Sequence, residues 1–120
     1  MNTATMSRRA VKGTNDNIPY RVNLAAWYRF HRGITNTSGR VSSWADMSGN
    51  SRPLIQATAA ARPTLMSTGE VVFNGVDQAL GAAFTLAQPA TIYLLFRQIT
   101  WTSGDIILDE YLTGDVTRIS

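Results

Sequence analysis

Apolar positions in this chain recur in short alternating runs broken by turn-forming residues, a pattern that predicts strands rather than helices. The run LAAWYRF at 24–30 can place Leu24, Ala26, Tyr28 and Phe30 on one face and Ala25, Trp27 and Arg29 on the other, which predicts a first strand. Residues 31–40 carry Gly33, Asn36, Ser38 and Gly39 and read as a turn-rich connection. A short strand follows at 41–44, closed by Asp46 and the Ser48-Gly49-Asn50 turn. Residues 51–65 read as irregular, because Pro53 and Pro63 each lack a backbone donor and restrict the residue before them. The alanines at 57–61 favour helix by propensity, but the run is too short and too close to proline to sustain one. Another strand is predicted at 70–74, then a turn at Gly75-Val76-Asp77 and an extended pass through Leu80, Phe84 and Leu86.

The strongest strand signal is ATIYLLFRQI at 90–99. It is almost continuously apolar and rich in aromatic and β-branched residues, as expected of a central strand buried on both faces. Further strands are predicted at 105–109 and from 116 onward. Roughly seven short strands between Gly, Pro and Asn turns predict an all-β protein, an antiparallel β-sandwich. Residues 1–20 are polar and lack any sustained period, so the chain divides into an N-terminal arm, 1–20, and a β-domain, 21–120.

Composition narrows the options. A length of 120 residues suits one domain, and 44% hydrophobic with 16% charged content fits a globular chain. With no cysteine, neither a disulfide framework nor a thiolate metal site can contribute. No apolar run approaches the length of about 20 residues that spans a bilayer, and the first residues lack the apolar stretch of a signal peptide. These features predict a protein made and assembled inside a cell, with no membrane partner.

Charge is uneven. Residues 1–40 hold seven basic residues against Asp16, a net of +6, whereas residues 41–120 hold four arginines against seven acids, a net of −3. Only Arg8, Arg9 and Lys12 cluster. Such a leader suits docking on a protein surface, and its dispersed charges argue against nucleic acid as the partner.

Three phrases carry the most specific signal: Trp44 to Asn50 as W-x-D-x-S-G-N, Gln56 to Pro63 as Q-A-T-A-x-x-R-P, and Phe73 to Asp77 as F-x-G-x-D. Their order and spacing resemble the laminin-G-like, concanavalin A-like lectin and glucanase jelly rolls, of the kind found in bacteriophage structural proteins. Residues 90–97 resemble that family's P-x-T-x-x-x-x-F-R phrase, and 106–109 its following strand. The likeness spans roughly residues 22–119 and implies the first part of a longer sandwich, incomplete in this chain. Trp44, Asp46, Gly49, Asn50, Phe73, Gly75 and Asp77 are then structural core and turn positions.

Candidate chemistry is sparse. Glycoside hydrolysis needs two carboxylates across a cleft. The glucanase members resembled here carry E-x-D-x-E, whereas Asp105-Ile-Ile-Leu-Asp109-Glu110 lacks the middle carboxylate, so no catalytic residue is assigned. Calcium requires about six to eight oxygen ligands. Asp46 and Asp77 lie in suitable loops, but Asn74 and Gln78 stand where the resembled family often has Asp, so no metal ligand and no cofactor is assigned. His31 is the sole histidine and reads as a strand-end surface residue. Trp101, in a Thr-Ser-Gly loop, is the candidate for stacking on a sugar.

Resemblance and composition together predict a non-catalytic virion component: a capsid-decoration, tail or fibre protein anchored through its arm. Its expected partners are other virion proteins, copies of itself, and host glycans. A lectin-like carbohydrate-binding module is the alternative.

Overall fold

Residues 34–44 form a tight hairpin. In the computed structural model, which describes residues 23–100, 103–104, 106–109 and 118–119, strand β1 (Ile34–Thr37) runs antiparallel to β2 (Arg40–Trp44). Ser38 and Gly39 turn the chain with φ of +52° and +75°, the paired positive values that match the right-handed twist of the flanking strands. The Gly39 N–H donates to Asn36 Oδ1 at 3.3 Å. The register shifts between Thr35 and Asn36, so that Thr35 faces Ser43 while Asn36 faces Val41.

Strand β2 is the hub of a five-stranded antiparallel sheet. β3 (Leu54–Ile55) pairs with its C-terminal end, and β4 (Thr64–Leu65) meets its N-terminal end at Arg40 opposite Thr64. β5 (Val71–Val72) then pairs with β4. A separate two-stranded antiparallel ladder joins β6 (Leu108–Asp109) to β7 (Arg118–Ile119). Among the described residues there is no α-helix, and none long and apolar enough to cross a membrane. The protein is all-β and antiparallel.

Burial is concentrated where the strands converge. Val41 is fully removed from water, and Pro63, whose carbonyl accepts from the Val41 N–H at 2.9 Å, is buried against the same centre. The Ile55–Gly81 bridge adds the 79–81 segment to the outer side of β3.

Four sequence expectations need correction or refinement. Residues 24–30 are not a strand, and the side chains of Asp46, Asn50 and Arg52 occupy backbone groups that a ladder would use. The connection at 31–40 contains β1, and the Ser38-Gly39 dipeptide was its signal. The 51–65 stretch is more ordered than its prolines suggest, holding β3, β4 and one 3-10 turn (Ala59–Ala61). The run at 90–99 forms no strand and every one of its residues is exposed, in contrast to the doubly buried strand predicted. High β-propensity does not make a strand without a neighbour to receive its ladder bonds.

Candidate functional site

The best-bonded part of the surface is a knot centred on Asp46. Its Oδ1 accepts from the N–H groups of Trp27 and Ser48, each at 2.8 Å. Its Oδ2 accepts from the Ser48 hydroxyl at 2.8 Å and from the Arg52 N–H at 3.1 Å. Burial on its own would push this carboxyl's pKa up, but the four donors outweigh it and hold the group below the usual carboxylate value. The carboxylate therefore faces N–H and O–H donors rather than an open coordination position.

Neighbouring residues extend the knot. Asn50 Nδ2 donates to the carbonyls of Leu24 at 2.7 Å and Ala25 at 3.1 Å. Arg52 Nη1 also donates to the Ala25 carbonyl, at 2.8 Å, while its guanidinium lies 4.7 Å from the centroid of the Phe84 ring. Tyr28 donates its hydroxyl to the Arg52 carbonyl at 2.6 Å, and burial raises its pKa, with the charge of Asp46 acting in the same direction and Arg52 against it. Trp44 is partly buried beside Tyr28, with ring centroids 6.3 Å apart, and donates Nε1–H to the Arg29 carbonyl at 3.0 Å. Gly49 closes the turn at φ +94°.

The second phrase makes a clasp. Arg62 Nε and Nη2 donate to the carbonyls of Gln56 and Ala57, each at 2.9 Å. Gln56 Oε1 accepts from the Thr58 N–H at 3.1 Å, and its Nε2 donates to the Ala79 carbonyl at 2.9 Å. One arginine and one glutamine thus close the loop between β3 and β4 and hold the 79–81 segment against it.

The third phrase closes on itself. Asn74 Oδ1 accepts from the N–H groups of Val76, Asp77 and Gln78 at 3.0, 3.2 and 3.3 Å, and Asn74 Nδ2 donates to Asp77 Oδ1 at 2.7 Å. Gln78 Oε1 accepts from the Asn74 N–H at 2.9 Å. Gly75 sits at φ +70°, and Phe73 is exposed. The amides at positions 74 and 78 serve as turn-forming groups, and Asp77 is drawn into the same loop.

His31 lies exposed at a corner with φ +62°. Its Nε2 is 2.6 Å from the Thr68 carbonyl, and Phe30 meets its ring edge-on at 4.5 Å. Gly69 is buried beside the imidazole, where a Cβ would collide with Cε1 and Nε2 of the ring. Next to it, Thr68 donates its hydroxyl to Glu70, and that bond is the main reason the Glu70 carboxyl lies below its usual range. An open groove of about 810 Å³ runs from His31 and Gly33 past Ile34 to Leu65, Met66 and Gly69. A smaller cleft of about 200 Å³ lies where Arg97 and Ile99 approach Met66, Glu70 and Val72.

The other conspicuous surface is apolar. Ile92, Leu94 and Phe96 are 48%, 53% and 54% exposed, while Tyr93 and Leu95 between them are 93% and 100% exposed. This alternation places Tyr93 and Leu95 on the barer side of the segment, which pairs into no strand. No hydrogen bond joins the 91–98 backbone to another described residue.

Of the residues singled out from sequence, the structure brings Trp44, Asp46, Gly49 and Asn50 into one knot and places Phe73, Gly75 and Asp77 in a separate loop. Trp101, Arg8, Arg9, Lys12 and Asp105 lie outside the described residues. Arg52, Gln56 and Arg62 were not assigned roles from sequence, although their fixed places in or beside the phrases were the available signal. Among the described residues, no three of His, Asp and Glu converge as metal ligands would. Comparison with protein-family models, curated proteins and solved structures finds no match.

Proposed function

We propose that this chain is a non-catalytic interaction module that works by assembling with other chains, as a structural component of a virion. One observation carries the assembly reading: the extended 92–99 segment presents Tyr93, Leu95 and Ile99 to solvent at 93%, 100% and 72% exposure, beside an antiparallel sheet with little buried apolar area of its own. A bare, strand-prone apolar segment without a ladder partner is a template for strand pairing or face-to-face packing with another polypeptide. The virion assignment, and the reading of the sheet as part of a concanavalin A-like jelly roll, rest on the resemblance of the three phrases. The basic arm at 1–20 would dock on the particle, while the β-domain packs with neighbouring subunits.

The test is incorporation into particles of the full chain against a chain lacking residues 1–20. Loss of particle-bound protein with an unchanged far-ultraviolet β-signal is expected, and undiminished incorporation would sink the anchoring role. Saturable binding on a glycan array, abolished by Trp101→Ala, would instead place the chain among carbohydrate-binding modules.

A further inference from the structure

We draw no further inference here: the strongest candidate, the exposed apolar segment at 91–99 beside the β4–β5 hairpin, carries nothing beyond the assembly role because nothing in the structure shows what covers it.

Discussion

Residues 24–81 and residues 90–99 solve the same problem in opposite ways, and only the first solves it from its own resources. Between 24 and 81, polar side chains reach back to the backbone, and Asp46, Asn50, Arg52, Gln56, Arg62 and Asn74 satisfy main-chain groups that strands would otherwise have to pair. The 90–99 segment has a far stronger strand signature yet has no ladder, and it carries the two most exposed large apolar side chains among the described residues, Tyr93 and Leu95. A polar side chain needs only one complementary backbone group within reach, as Asp46 finds at Ser48 in its own turn and at Trp27 across the loop. A central strand gains stability only from two neighbours, which must arrive from elsewhere. Turn chemistry is therefore self-sufficient, whereas β-propensity is conditional.

The largest expected effect breaks the bonded side of this contrast. Asp46→Ala removes the acceptor for four donors at once, and hydrogen bonds to a charged group are each worth about 1.5–3 kcal/mol without being additive. A loss of about 2–4 kcal/mol in urea unfolding is expected. A change below about 0.5 kcal/mol would mean that the knot merely decorates the loop.

Gly69→Ala comes next. It combines a φ of +95° with a Cβ that collides with the His31 imidazole, and a cost of about 1–3 kcal/mol is expected. In a His31→Ala background the collision disappears and the backbone strain stays, so part of the loss should be recovered. Fully additive losses would show that His31 does not pack on Gly69.

Acid should weaken the knot by less than the deletion does. The Asp46 pKa is depressed in the folded state, so its contribution is complete above the unfolded carboxyl value of about 3.9 and is lost as pH falls through the folded value. Protonation leaves one carbonyl oxygen as an acceptor, which limits the damage. The difference in unfolding midpoint between the wild-type chain and Asp46→Asn should shrink as pH falls through that window. A constant difference would show that the charge of Asp46 contributes nothing.

The smallest expected change in stability comes from the apolar side. Leu95 is fully exposed, so Leu95→Asp should alter the unfolding free energy of the dilute chain by less than about 0.5 kcal/mol. The same substitution should sharply reduce concentration-dependent association measured by light scattering. If it unfolds the dilute chain instead, Leu95 is buried in the isolated molecule and the contrast between the regions fails.

Legibility followed the range of the interactions. The strand at 41–44, the turn at Asp46 to Asn50 and, within the stretch expected at 70–74, the two-residue strand Val71–Val72 were readable because each depends on residues within a few positions. The strand expected at 24–30 was misread, since its alternation is real but its backbone is claimed by Asp46, Asn50 and Arg52, more than a dozen residues downstream. β3 and β4 were missed beside Pro53 and Pro63, each of which directly precedes its strand and so removes no donor from the two-residue ladder.

By itself, the sequence determined the all-β class, the positions of the main turns and the residue types able to close them, because alternation, positive-φ glycines and Asp or Asn side chains act locally. Only the tertiary structure decided which backbone groups those side chains would meet, that β2 would be the hub, and that the most strand-like segment would lie bare. The physical reason is that a strand is defined by its partner, and a partner is a property of the assembled sheet rather than of any one stretch of chain.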